Sequence, residues 1–429
     1  MKINEPRWYK RRGYSHFDLP ISVAKAKLLV TSPERVAQHS FYPFIRFELI
    51  ASKFKPDDSG KKTLVRKERI ISYASHVDSN IYSYYSDLLS EKYEVELEKH
   101  DLSQSILAFR SLGLSNIDFA NNAFDSIAEI GDSTVIALDI KGFFDNLSHR
   151  YLKRAWGTLI GHSKLPLGDY AVFKSLTSYA YVDKRKIFSI LNLSLNNPPN
   201  CSTKICSAQD FREKIRGTGH IQKNEKCIGI PQGSAISAML SNLYMLEFDI
   251  FANRLAKSMQ GRYYRYCDDM LFIFPGKYES IEDKIETELG KYELPLNRSK
   301  TEIHIFETKN GKFCTEKPLQ YLGFYFDGQR KFIRSAAFAK FSNNMRRGVS
   351  LAKQTARKHN RIREKKGESI RFIWKRKIYK TYTHLGGRNF ITYGIRAAEK
   401  MKDKTISRQI KRLWGRVNRE VHHANREVI

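Results

Sequence analysis

Apolar and polar positions change period several times along the chain, and each change marks an element. Val77, Ile81, Tyr84, Tyr85, Leu88 and Leu89 recur every three or four residues, which predicts an amphipathic helix over 77–100. Residues 133–140, STVIALDI, form a short β-rich run. Another apolar stretch lies near 167–182, and 230–259 reads as a turn opening a long helix. RYYRYCDDMLFIF, residues 262–274, reads as two strands around a tight turn. A helix is expected at 278–293, closed by Pro295. In the tail, Ile370, Ile373, Trp374, Ile378, Tyr382 and Leu385 share a helical period, as do Ile406, Ile410, Leu413, Trp414, Val417 and Val421.

Between these elements the pattern is weaker. Residues 1–60 are mixed, although Ser32-Pro33-Glu34-Arg35 has the form of a helix start, with Ser32 as cap. KKTLVRKERIIS, residues 61–72, runs from basic to apolar. Residues 190–227, dense in Asn, Pro, Ser and Lys, read as a surface insertion. Its Cys201, Cys206, His220 and Cys227 are of zinc-binding type, but their spacing fits no zinc module.

Charge adds a partner to this outline. The 429 residues carry 75 Lys and Arg against 45 Asp and Glu, a net +30. Residues 341–429 hold 25 basic and 6 acidic residues, +19 of that excess, interleaved with Trp374, Tyr379, Tyr382 and Trp414. Concentrated positive charge with aromatics points to a polyanion such as nucleic acid. Five irregularly spaced cysteines suit a reducing cytoplasm, the expected location. The first residues lack the apolar core of a signal peptide, and no run approaches the length of a membrane span.

Chemistry enters with the acids. Asp268 and Asp269 sit inside a strongly apolar hairpin, where uncompensated carboxylates are costly. Asp139 ends the apolar run Thr134–Leu138. One acid from a strand and two from a neighbouring hairpin can converge on two Mg²⁺ ions roughly 3.5–4 Å apart, a pair that clamps an in-line phosphoryl displacement. Gly229-Ile230-Pro231-Gln232-Gly233-Ser234 then opens a helix of small residues, which lets a nucleotide or template base approach closely.

The order ALDIKGFF, GIPQGSAISAMLSNL, YCDD, LPLNRSKTEI and YLGFYF resembles motifs A to E of reverse transcriptases, over about residues 61–335. The resemblance implies an α+β right-hand polymerase with fingers, a ferredoxin-like palm whose antiparallel sheet has helices on one face, and a basic α-helical thumb. The divisions it implies are an N-terminal extension at 1–60, fingers and palm at 61–335 with the insertion 190–227, and a thumb at 336–429. The implied metal set is Asp139, Ile140, Asp268 and Asp269, holding two Mg²⁺ ions for which Mn²⁺ substitutes. Lys300 resembles the lysine that protonates pyrophosphate, and Phe144 the aromatic gate against a ribose 2′-OH. Gln232 and Gly233 resemble nucleotide- and template-contacting residues, Arg66, Lys67 and Arg69 triphosphate-binding residues, and Leu322-Gly323-Phe324 the primer grip.

RGYSHFD (12–18), RIISYASHVDSNIYSYY (69–85) and SILAFR (105–110) resemble bacterial antiphage-defence enzymes of the stand-alone type 2 kind, with retron and abortive-infection enzymes near by. That branch implies a structured noncoding RNA as template, an RNA–DNA hybrid and dNTPs as further partners, and repeated, rolling-circle-like copying. The rival readings are a template-independent polymerase of the same fold and an RNA-binding maturase or scaffold.

Overall fold

In a computed structural model the protein is described over residues 5–56, 62–278 and 281–428. Its centre is a five-stranded antiparallel sheet in the order Arg262–Tyr266, Asp269–Pro275, Ser133–Asp139, Glu302–Lys309, Lys312–Thr315. This is the palm of a right-hand polymerase fold. The runs VIAL and MLFIF are continuously apolar, so both faces of the sheet must be covered. Ile136, Leu138, Met270, Phe272 and Phe274 pack into one core with the helices His76–Lys99 and Ser237–Ser258. Val135, Leu271, Ile273 and Phe306 pack on the opposite face with the helix Asn116–Ile130 and the C-terminal region. An arrangement with helices on one face is thereby corrected to helices on both.

A second sheet pairs the long hairpin Phe44–Pro56 and Lys62–Tyr73, with Ala180–Asp183 parallel to its first strand and Gln222–Lys223 beyond. The first strand of this hairpin escapes the sequence pattern. From Arg46 to Ile50 its residues are half-buried or exposed on both faces, so no apolar alternation marks it. Residues 190–227 also do more than cover surface. Ile205 and the π-helical segment Phe211–Arg216 bury Phe211 and Ile215 against Phe17, Ile45, Val182 and Phe188.

The C-terminal region is helical over Ser335–Lys365, Lys375–Tyr382, Phe390–Met401 and Lys404–Arg426. The helix expected across 370–385 is shorter than its periodicity suggests. Gly367 takes φ 68°, and the backbone at Arg371 and Ile373 is bound by Asn360 and Asn425 instead of by a helix. No described helix is long and apolar enough to cross a membrane.

At the junction of the N-terminal segment and the helix His76–Lys99, Asp18 accepts hydrogen bonds from the His76 and Val77 amides at 2.9 and 2.8 Å. Beside it, the rings of His16 and His76 are buried, and among the described residues no ring nitrogen of either has a well-formed hydrogen bond. Burial, helped by His76, pushes the His16 pKa down to about 3. The folded state therefore binds fewer protons than the unfolded chain between that value and the ordinary 6.5. Stability should be full above about pH 6.5 and should fall as pH drops, by about 1.4 kcal/mol per unit from this group. Denaturant melts at about pH 7.5 and pH 5 test this. His16→Leu should flatten the difference, and an unchanged difference in that variant would count against the assignment.

Candidate active site

The central strand and the acid hairpin meet in a fixed register. Asp139 lies directly across from Asp269, so both side chains leave the same face of the sheet. Asp268 sits on the turn, after Cys267, which takes φ 61°. The turn is stitched to the end of the central strand by the Ile140 amide, which donates to the Asp268 carbonyl at 3.3 Å. The sheet therefore gathers Asp139, Ile140, Asp268 and Asp269 at one end. Among the described residues, no three His, Cys, Asp or Glu side chains converge closely enough to enclose an ion.

Asp139, only 9% exposed, is neutralised from within the chain. Lys300 Nζ lies 2.6 Å from both carboxylate oxygens, and Asn297 Nδ2 donates to one of them at 3.0 Å. The Asn297 amide also holds the Asp139 carbonyl at 2.8 Å, and Lys141 N donates to the Pro295 carbonyl. The segment Leu294–Lys300 thus lies along the strand end, and Lys300 fills a cation position on the acid. Carboxylate oxygens are the hard donors that Mg²⁺ takes, so the residue types at this strand end suit such an ion, although the three acids do not enclose one as they stand.

Sequence reasoning missed what holds the hairpin. Arg265 and Asp249 are both fully buried. Arg265 donates twice to Asp249, at 2.7 and 2.6 Å, while Tyr263 Oη donates to the same carboxylate at 2.8 Å. The remaining guanidinium nitrogen reaches Asn242 Oδ1 and the Cys267 carbonyl, each at 3.1 Å. Burial opposes the charge on Arg265, but Asp249 outweighs it and the pKa lies above its ordinary value. One cation therefore ties the long helix Ser237–Ser258, through Asn242 and Asp249, to the turn that presents Asp268. The available signal was two opposite charges, Asp249 and Arg265, inside otherwise apolar stretches. SILAFR backs the same strand: the Arg265 amide donates to Ser105 O, the Leu107 amide to Arg265 O, and Asn242 Nδ2 to Ala108 O.

The other sequence candidates divide. Gly233 takes φ 112°, and a Cβ there would stand 2.7 Å from Ser72 O, so only glycine fits. The Ser72 amide donates to Gln232 O at 2.8 Å, which docks the long N-terminal hairpin onto the turn. Phe144 is half-buried against the palm core, and its carbonyl accepts from the Ile230 amide. Arg66 and Arg69 are exposed. Strand alternation puts Arg69 on the face of Ile71, which meets Gly233, and Arg66 on the other face. The Lys67 side chain lies outside the described residues. Leu322 and Gly323, at φ 45° and 97°, turn the hairpin between Leu319–Tyr321 and Phe324–Phe326. Asn116 Nδ2 holds the Leu322 carbonyl, and Phe324 stacks on Tyr393 of the C-terminal region.

Residues 59–326 match the family described as reverse transcriptase (RNA-dependent DNA polymerase). No curated protein matches the chain. Among solved structures, apo telomerase from Candida tropicalis, truncated of its C-terminal domain, is 10% identical at a TM-score of 0.38, covering 73% of this chain and 60% of its own. Telomerase from Candida albicans with a fragment of telomeric RNA is 13% identical at 0.38, covering 94% and 67%. The RNA-dependent RNA polymerase of a human picobirnavirus, with its insertion loop deleted, is 11% identical at 0.40, covering 72% and 51%. The chain thus spans about half to two thirds of these structures' length. Scores this low mark remote likeness, and the family rests on the sequence match.

The buried clamp yields a stability prediction. Asp249→Ala should cost about 3–5 kcal/mol in a urea melt, because it strands the Arg265 charge in the core. Pairing it with Arg265→Met should recover part of the loss. A single variant as stable as wild type would show that the pair does not bear on the fold.

Proposed function

The chain belongs to the reverse transcriptase family, and on that premise we propose that it is an RNA-directed DNA polymerase that adds dNTPs to a primer 3′ end by two-metal nucleotidyl transfer. The observation that carries this reading is the register of Asp139 against Asp269, with Asp268 on the adjoining turn, inside the stretch that matches the family. Asp139, Asp268 and Asp269, with Ile140 beside them, would hold two Mg²⁺ ions, for which Mn²⁺ substitutes. When bound, the ions supply Lewis acidity for the attacking hydroxyl and charge neutralisation for the departing pyrophosphate.

The chain's own groups do the positioning. Lys300, which contacts Asp139 at the mouth of the site, would be the group that gives a proton to the leaving group. Arg69, on the strand face toward Gly233, neutralises the triphosphate, with Arg66 and Lys67 as basic neighbours on the same hairpin. Gln232 and Gly233 bring backbone close to the incoming nucleotide and template base. Phe144 excludes the ribose 2′-OH, and the Leu322-Gly323-Phe324 turn supports the primer end. Residues 61–335 serve as fingers and palm around the insertion 190–227, behind the extension 1–60. The basic helices of 336–429 serve as the thumb on an RNA–DNA hybrid, whose shape and phosphates they read. We infer further that the template is a structured noncoding RNA and that the setting is cytoplasmic, in bacterial antiphage defence. The motifs RGYSHFD, RIISYASHVDSNIYSYY and SILAFR support this finer reading.

Two outcomes test the proposal. Asp139→Ala, or Asp268→Ala with Asp269→Ala, should abolish Mg²⁺-dependent dNTP incorporation on a primed RNA template while the melting transition persists. Substantial incorporation by these folded variants would refute the metal assignment. Phe144→Ala should raise rNTP use at least about tenfold relative to dNTP, a change of about 1.4 kcal/mol in discrimination. Wild-type protein that already uses both sugars equally would remove Phe144 as the gate.

A further inference from the structure

Two large aromatic rings stand out on the surface of the C-terminal region. Trp374 is 72% exposed and Phe372 60%, yet Ile373 between them is buried. The segment joining the helices Ser335–Lys365 and Lys375–Tyr382 is not helical, and Trp374 has extended backbone. Phe372 and Trp374 flank the buried Ile373, and both present their rings to solvent. Neither ring packs on another aromatic ring among the described residues. Lys375 Nζ lies 5.9 Å from the Phe372 ring centroid.

These rings are held out by a built backbone. Buried Asn360 grips Arg371 on both sides, with Nδ2 donating to its carbonyl at 2.9 Å and Oδ1 accepting from its amide at 3.0 Å. Buried Asn425 accepts the Ile373 amide at 3.2 Å. Exposure of that much apolar surface on a pinned segment stabilises nothing in the isolated chain, which marks the surface as a contact site.

Charge names the partner. Phe372 and Trp374 are interleaved with Arg371, Lys375, Arg376 and Lys377. The helix that begins at Lys375 has three cations and no acid in its first turn, and no side-chain cap. That arrangement adds positive charge to the already positive end of the helix dipole. Next to it lies a groove of about 550 Å³, lined by Lys375, Tyr379, Arg419, His422 and Arg426 with no acid among its walls. Exposed aromatic rings beside cations are the groups on which unpaired bases stack.

We propose that Phe372 and Trp374 form a stacking site for an unpaired base of single-stranded RNA, whose flanking phosphates lie in the cationic groove. The site is distinct from the polymerase centre and rests on the reading that this chain handles RNA. It gives the thumb a means of holding an unpaired stretch of its template or partner RNA, which phosphate contacts alone do not distinguish from duplex.

The test uses the full chain and an oligoadenylate RNA of about ten nucleotides. Titration should quench the tryptophan emission of wild type more than that of Trp374→Phe, since Trp374 is 72% exposed, Trp414 40% and Trp156 fully buried. The double variant Phe372→Ala, Trp374→Ala should bind the oligomer about 10- to 100-fold more weakly, and a blunt RNA–DNA hybrid within about threefold of wild type. Trp374→Phe, which keeps a ring, should retain most of the affinity. Equal losses for single strand and hybrid, or none, would overturn the proposal, as would a Trp374→Phe variant as weak as the double alanine. Tighter binding of the matching oligodeoxyadenylate than of the RNA would overturn the choice of RNA. A dimer dissolved by the double variant would overturn it in favour of an interface between copies. Binding requires no catalysis, so this result and dNTP incorporation by wild type stand or fall separately.

Discussion

Three like-charged carboxylates must stand together at the end of an apolar sheet, and the surrounding structure is organised to tolerate them. Within the chain the repulsion is met first by Lys300 on Asp139, at 2.6 Å to both oxygens. It is met next by the Asn297 side chain, whose Nδ2 donates to the same carboxylate at 3.0 Å. Carboxylates sharing one end of a sheet favour a cation beside them, and Asp269 is exposed and Asp268 half-buried there. A folded protein that keeps such a cluster gives up stability for chemistry.

The cluster needs a rigid platform, which the Arg265–Asp249 pair provides. A buried ion pair is rarely the most stable filling for a core, and well-packed apolar residues often do as well. Its particular contribution here is geometric. The guanidinium spans three elements, reaching Asp249 and Asn242 on the long helix and the Cys267 carbonyl on the turn. An apolar replacement would fill the space without fixing the turn. The same helix opens at the Gln232-Gly233 turn, which receives the long N-terminal hairpin at Ser72, so hairpin, helix and acid turn share one mechanical path.

Much of this was legible in the sequence, for physical reasons that can be named. The central strand and the acid hairpin are short, continuously apolar runs ending in acids, a combination that few other structures produce. The helices His76–Lys99 and Lys404–Arg426 follow from their period. What stayed hidden depends on tertiary contacts. Arg265 reads as one more basic residue until Asp249, sixteen positions away in sequence, is seen beside it. Ile370 and Trp374 share a helical period with Ile378, yet Asn360 and Asn425 hold their segment out of the helix. Phe211 and Ile215 lie in a stretch too polar to suggest a core, and they find one only with Phe17 and Phe188. Lys300 matched its motif, but its resting contact with Asp139 could not be read from spacing.

That contact is the most exposed point of the account, because Lys300 and a divalent cation cannot both occupy the Asp139 carboxylate. Titration of the metal-free protein with Mn²⁺, followed by the loss of free-ion signal in electron paramagnetic resonance, reads the competition without substrate or catalysis. The account predicts that Lys300→Ala binds Mn²⁺ more tightly than wild type, and that adding Asp139→Asn removes the gain. A Lys300→Ala protein that binds Mn²⁺ no better than wild type, or a gain that survives loss of the Asp139 carboxylate, would contradict it.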